Sequence, residues 1–293
     1  MIKKLVLSAL ICLTGAGFVF ADDSQAESGS SVYTLFVNIV DEGFRFPLLG
    51  FVNIATGNHD LPQIGFVNFN QKDFGSLQAS FVNIVGGGFS GAQLGFVNTV
   101  GKKGEGLQLG FVNTSAQKFS GTQVGFVNYA DSIDDGIPVG FISIVRHGGY
   151  KAVEYSFSEF HPVSLGLKLG VERFYTNIIA AYNPFVDSVA GQFAFGLGVG
   201  SIIPVKGAFF YNQELNYLSA SLKDGDPQFL SFVPYFGYGL SPGFKIVAGP
   251  SVTWAHSGNN NGLQKPLFSL YDHHIDSRNS IVIGARVGAR FLF

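Results

Sequence analysis

The sequence has few charged residues and almost no cysteine. Charged residues make up 13% of the chain, about half of the ~25% found in average proteins, which is too few for the surface of an ordinary soluble helical protein. The only cysteine, Cys12, lies in an apolar N-terminal segment. The chain beyond it therefore has no disulfide, no thiolate metal ligand and no cysteine nucleophile. A formal net charge of −2 gives no support to nucleic-acid binding.

Glycine and phenylalanine are abundant instead, with 39 glycines and 31 phenylalanines among 293 residues. So much glycine disfavours helices, and its lack of a three-residue period excludes a collagen-like structure. A hydrophobic content of 46% excludes an intrinsically disordered chain. The composition predicts an all-β fold in contact with lipid.

The N-terminus is typical of an export signal. Lys3 and Lys4 precede an apolar run that ends at Phe20-Ala21, and this pattern predicts a signal peptide over residues 1–21. A polar linker over 22–34 would follow it. Leu-Ile-Cys at 10–12 is a poor match to a lipoprotein signal, because Ile11 is bulky where a small residue is expected.

A tandem repeat fills residues 35–149. Phe-Val-Asn recurs every 15 residues without insertion, and the copies start at Phe36, Phe51, Phe66, Phe81, Phe96, Phe111 and Phe126, with a decayed eighth copy at Phe141. The consensus of the copies is Gly-x-Gln-Leu-Gly-Phe-Val-Asn. Glycine precedes the phenylalanine in six of the eight copies, and it suits either an unusual backbone conformation or a close backbone approach.

The constant period predicts a parallel β-solenoid with one short rung per repeat, because equivalent residues then stack about 4.8 Å apart. Stacked amides would satisfy one another, and stacked aromatic rings would bury a large area. The predicted ladder residues are Phe51, Asn53, Phe66, Asn68, Phe81, Asn83, Phe96, Asn98, Phe111, Asn113, Phe126 and Asn128. In the alternative, each repeat is one strand of the wall of a larger barrel of about 16 strands.

Residues 150–293 predict an antiparallel transmembrane β-barrel of about eight strands. From Ser280 to Phe293, apolar residues alternate with Gly284, Arg286, Gly288 and Arg290. Alternation over about ten residues is the signature of a transmembrane strand. The C-terminal Phe293 is the expected contact for the barrel-assembly machinery, and outer-membrane lipid is the expected surrounding.

Charged residues at inward positions of these strands have two interpretations. The six residues are Lys168, Glu172, Glu214, Lys245, Arg286 and Arg290. With Glu154, they are predicted to pair and fill a narrow interior. In the alternative, they line a small channel.

No pattern predicts catalysis, a cofactor or a metal. Gly86-x-Gly88-x-x-Gly91 matches a dinucleotide fingerprint only formally, because it lies between repeat copies and opens no helix. The loop residues Asp272, His273, His274 and Asp276 are metal-ligand types, but such clusters in a polar loop are usually solvated. An envelope enzyme would need His256 or His273 beside a serine.

The Gly-x-Gln-x-Gly-Phe-Val-Asn copies resemble the surface repeat-containing proteins of spirochaetes and some other diderm bacteria. The resemblance implies an exported envelope protein and assigns no functional residue. Together, these features predict a non-enzymatic outer-membrane protein with a structural or adhesive role and an unidentified host or envelope ligand. An even-stranded barrel places both termini in the periplasm, which conflicts with surface-exposed repeats.

Overall fold

The computed structural model describes residues 31–186, 192–220, 227–258 and 263–293. The regular structure of these residues is β-strand, which confirms the predicted all-β fold. The chain divides into two compact units, Met1–Gly136 and Ile137–Phe293. The predicted signal peptide and most of the predicted linker lie outside the described residues. In the described ranges, no helix has the length and hydropathy needed to cross a bilayer.

The first unit is a stack of short parallel strands, two for each repeat. One row contains β1 (Val37–Val40), β3 (Val52–Ala55), β5 (Val67–Asn70), β7 (Val82–Val85) and β9 (Val97–Val100). The other row contains β2 (Leu48–Leu49), β4 (Gln63–Ile64), β6 (Leu77–Ala79), β8 (Phe89–Leu94) and β10 (Gly104–Leu109). The long β11 (Val112–His147) belongs to both rows, because residues 112–115 pair with β9 and residues 119–124 pair with β10.

Each strand pairs with its equivalent one repeat away. Val97 pairs with Val112 and Asn98 with Asn113, in parallel. The predicted solenoid is therefore confirmed. The alternative of a single larger barrel is wrong, because neighbouring strands of such a barrel run antiparallel, whereas these run parallel.

The solenoid interior is partly polar. Along β9, Asn98 and Val100 are buried, whereas Val97 and Thr99 are partly exposed and point outward. Phe74, Phe89 and Phe119 pack with valines in one apolar cluster. Where glycine precedes a repeat phenylalanine, the backbones approach closely; for example, a Cβ on Gly110 would overlap the backbone of Gly95. Ser80 fills this position in one copy.

The repeat phenylalanines lie on the outside of the stack, contrary to the expectation that they bury a large area. Neighbouring rings from Phe51 to Phe126 are parallel, with centroids 4.9–5.2 Å apart. Each ring nevertheless stays 44–56% exposed. Asn98, two residues after Phe96, points inward, so strict strand alternation would also place Phe96 inside. The ring points outward instead because the chain turns at the Gly-Phe corner, before the strand begins.

The second unit contains a closed antiparallel barrel. Its eight strands are β12 (Tyr150–Phe157), β13 (Val163–Val171), β14 (Phe174–Tyr182), β15 (Phe193–Lys206), β16 (Phe209–Ser219), β17 (Gln228–Ser241), β18 (Phe244–His256) and β20 (Asn279–Leu292). Pairing of β12 with β20 closes the barrel. A short strand, β19 (Tyr271–His274), pairs with β20 beyond the end of β12.

Barrel residues alternate between the lumen and the outside. In β16, Asn212, Glu214 and Asn216 are buried, whereas Leu215 and Tyr217 are exposed. An apolar outer face around a polar interior is the pattern of outer-membrane barrels. The second unit therefore fits an outer-membrane protein.

The connections at the two ends of the barrel differ in length. Short turns follow β13, β15 and β17 at one end, which also holds the first residue of β12 and the last residues of the chain. At the other end, the sequence intervals between strands are longer: residues 183–192 separate β14 from β15, residues 220–227 separate β16 from β17, and residues 257–278 separate β18 from β20. The turn after β15 lies at Gly207-Ala208, because β15 continues to Lys206.

Candidate functional site

Four buried charged side chains form a cluster in the barrel lumen, which we call the lumen cluster: Glu154, Lys168, Glu214 and Arg290. Lys168 Nζ lies 2.6 Å from Glu214 Oε1 and 3.4 Å from Glu154 Oε2. Arg290 Nε lies 2.5 Å from Glu154 Oε2, and its Nη2 lies 2.8 Å from Glu214 Oε1. Two cations thus face two carboxylates in a compensated set.

Aromatic and amide side chains complete the lumen cluster. Tyr175 donates its hydroxyl to Glu214 at 2.5 Å, and Arg290 Nη2 donates to Asn212 Oδ1 at 2.7 Å. The Arg290 guanidinium lies 5.3 Å from the ring centroid of Tyr235. These neighbours supply the hydrogen bonds that buried charges require.

The six predicted lumen charges separate into three places. Lys168, Glu214 and Arg290 meet in the lumen cluster. Glu172 and Lys245 pair at 3.2 Å at the short-turn end, where both side chains are partly exposed. Arg286 is buried, and its Nε has no hydrogen-bond partner among the described residues.

The turn between β12 and β13, residues 158–162, folds into the barrel. Glu159 accepts hydrogen bonds from Ser251 at 2.7 Å and from Thr253 at 2.6 Å, both on β18. Phe160 packs against Phe229 and other buried apolar side chains. Alternation alone does not show where the strand before this turn ends, so the sequence pattern did not predict the turn. Pro162 is a signal that could have shown the end of that strand.

The turn and the lumen cluster together fill the barrel at two levels. Phe160 and its apolar neighbours occupy the part near the long connections, where Ala181, Leu218 and Ala255 are also buried. The ion-paired cluster occupies the part near the short turns. The charged groups of the lumen cluster are bound to one another instead of facing a solute, whereas Arg286 Nε and the Tyr235 hydroxyl have no hydrogen-bond partner among the described residues.

Two rows of amides run through the solenoid interior. Each asparagine donates its side-chain amide to the side-chain oxygen of the asparagine 15 residues later, at 2.6–3.0 Å. This row contains the predicted asparagines and Asn38, and it extends from Asn38 to Asn128. The glutamines of the other strand row form a second ladder from Gln63 to Gln123, in which each Nε2 donates to the Oε1 of the preceding glutamine at 2.7–2.8 Å. These glutamines belong to the repeat consensus but are not among the predicted ladder residues.

His256, His273 and His274 contact groups other than the serine that a catalytic set would require. His256 Nδ1 lies 2.9 Å from Asn279 Oδ1, and His273 stacks on Tyr271. His274 Nε2 lies 3.9 Å from Asp272 Oδ2 in an exposed pair. These contacts differ from the histidine–serine pair that an envelope enzyme would require.

Comparisons with known proteins give little further information. No family model matches the chain, and no curated protein matches it. Among solved structures, the crystal structure of Neisserial surface protein A (NspA) is similar to this chain, with 12% sequence identity and a TM-score of 0.30. The match covers 50% of this chain and 97% of NspA.

Proposed function

We propose that this chain is a non-enzymatic outer-membrane protein in which a filled β-barrel anchors a repeat solenoid with a structural or binding role. The observation that carries the proposal is the closed barrel with an apolar outer face and an internally paired lumen cluster. An adhesive function and a host or envelope ligand remain predictions, as does the resemblance of the repeats to spirochaete surface proteins.

Cell fractionation tests the membrane assignment. An apolar barrel exterior requires lipid or detergent around it, so the full chain should sediment with outer membranes and resist extraction by alkaline carbonate. Recovery of the intact protein in the soluble periplasmic fraction would contradict the proposal.

Planar-bilayer recordings test whether the barrel is filled. Because buried ion pairs and the inward turn occupy the lumen, we expect purified protein to insert without conductance steps. Reproducible steps would instead support the alternative of a small channel. A known porin inserted under the same conditions provides the control for bilayer quality.

The barrel also supports an orientation for the repeats. The chain enters β12 at the end with the short turns, and short turns are periplasmic in outer-membrane barrels. We therefore expect protease added to intact cells to leave residues 35–149 uncut, and to cut them once the outer membrane is permeabilised. Cleavage in intact cells would place the repeats on the surface.

A further inference from the structure

The charges of the repeats are confined to one side of the solenoid. Every charged residue between Phe36 and Gly136 falls five to nine positions after a repeat phenylalanine. Examples are Asp41, Lys72 and Lys103. Most of these positions lie at the corner between the two strand rows that is opposite the Gly-Phe corner, and the last of them reach the start of the second strand row, where Glu105 of β10 points outward. The remaining ten positions of every repeat carry no charge.

The uncharged side is apolar and exposed. The phenylalanine rings stand at its centre, 44–56% exposed, and Leu49, Ile64, Leu94 and Leu109 flank them at 36–49% exposure. Valine follows each phenylalanine and also points outward. This side of the stack therefore presents hydrocarbon outward, while the amide rows and an apolar cluster fill the interior. A contiguous apolar surface of this kind marks an interaction site.

The uniformity of this apolar side favours lipid over a protein partner. Protein interfaces concentrate their binding energy in a few distinct side chains set in complementary pockets. Here six consecutive rungs present the same ring in the same orientation, within 4° of parallel. A fluid hydrocarbon surface requires no variation from rung to rung.

The last repeat copy supplies a second, independent observation. It belongs to the same compact unit as the barrel. Its Gly140 carbonyl oxygen, at the Gly-Phe corner, accepts a hydrogen bond from Thr176 Oγ1 at 2.8 Å. Thr176 pairs with Leu169 and Val199, whose side chains point outward from the barrel. The corner of this copy thus lies on the lipid-facing wall of the barrel.

We propose that the apolar side of the solenoid lies in a lipid bilayer interface, with its phenylalanine rings among the acyl chains and its charged corner in water. It is the β-structure counterpart of an amphipathic helix, which buries its apolar face about 5–10 Å into the interface. This inference rests on the proposed membrane location, and it names lipid as the partner of the repeats.

Depth-dependent fluorescence quenching tests the proposal on the full chain. Single cysteines are introduced by Phe111→Cys and Leu109→Cys on the apolar side and by Lys103→Cys at the charged corner. Leu197→Cys, on the outer face of β15, reports insertion of the barrel itself. Each variant is labelled with bimane and reconstituted in phosphatidylethanolamine and phosphatidylglycerol vesicles, with or without acyl-chain doxyl lipid. The parent chain controls for labelling of Cys12.

We expect doxyl lipid to quench the fluorescence of bimane at positions 111 and 109 about as strongly as at position 197. The fluorescence of bimane at position 103 should not change. Quenching at 197 alone would overturn the inference and keep the proposed membrane location. No quenching at 197 would overturn both. Disulfide cross-linking between chains through Phe111→Cys, without quenching, would show that a second copy covers this side and would also overturn the inference.

Discussion

Asn98 donates its side-chain amide to Asn113 Oδ1, one rung further along the solenoid, at 2.9 Å. In the second row, Gln108 donates in the opposite direction, to Gln93 Oε1, at 2.8 Å. The asparagine and glutamine dipoles therefore oppose each other across the interior. Asn98 also donates to the Leu109 carbonyl at 3.0 Å, so one side chain joins two rungs and both strand rows.

Replacing Asn98 with alanine should loosen the rungs on either side of it. The substitution removes both donors and leaves the buried Asn113 Oδ1 without its partner, at an expected cost of about 1–3 kcal/mol. Hydrogen exchange of the amides in residues 97–115 measures the change in local opening free energy. The exposed Ser90→Ala serves as the control and should change it by less than about 0.5 kcal/mol. Equal effects of the two variants would contradict the structural role of the ladder.

Replacing Glu214 with glutamine should destabilise the barrel much more than removing the partly exposed ion pair of Glu172 and Lys245 at the short-turn end. Glu214 accepts from Lys168, Arg290 and Tyr175, and breaking a buried ion pair costs about 3–5 kcal/mol. Urea unfolding in micelles, followed by the fluorescence of Trp254, measures barrel stability because this tryptophan is the only one in the chain.

The matched control for Glu214→Gln is Lys245→Gln. Lys245 pairs with Glu172 at the partly exposed rim, and such pairs contribute about 0–1 kcal/mol. A loss of stability in Lys245→Gln as large as that in Glu214→Gln would show that the lumen cluster has no special importance.

The stability of the first rungs should fall as the pH falls below 6.5. His59 is buried between Phe44 and Phe74, and this burial lowers its pKa from the ordinary value of 6.5, although Asp60 partly opposes the shift. The unfolded chain therefore binds a proton that the folded chain rejects. Stability is complete above pH 6.5 and decreases from there towards the lower folded pKa.

The variant His59→Phe checks this pH dependence. Phenylalanine occupies the equivalent position at Phe74 and Phe89, so the replacement should fit the row of rings and remove the titrating group. We expect hydrogen exchange of residues 52–77 in the native chain to show a loss of stability between pH 7.5 and 5.5, and the variant to show less. An identical pH response in the two proteins would assign the effect to other groups.

Gly106→Ala should destabilise the solenoid more than Gly43→Ala. Both glycines have a positive φ, +117° and +96°, so each alanine would carry the conformational strain of about 1–2 kcal/mol. Only at Gly106 would the new Cβ also overlap the backbone of Gly91; around Gly43 the space is open. Thermal unfolding of the two variants, followed by far-ultraviolet circular dichroism, separates strain from overlap. Equal shifts in Tm would show that overlap adds nothing.

The repeat architecture could be predicted from sequence because an unbroken 15-residue period fixes the register of every rung. The placement of Phe96 could not be predicted from the period alone. Whether this ring lies inside or outside depends on where the chain turns, and the Gly-Phe corner leaves Asn98, not Phe96, facing inward.

The barrel strands were predictable from alternation, whereas the interior was only partly so. Alternation placed Lys168, Glu214 and Arg290 inside, but a strand pattern does not give the distance between residues on non-adjacent strands. The inward turn at Glu159 was missed for the same reason, since its partners Ser251 and Thr253 lie more than ninety positions later.

The invariant rung length restricts how this solenoid can change in size. An insertion of a few residues in one rung would shift Asn98 or Gln108 off its neighbours and interrupt both amide rows. Gain or loss of one complete repeat keeps every row in register and alters only the length of the stack. The number of repeats is therefore free to vary by duplication and deletion of whole units, and each added unit would extend the apolar side by one more ring.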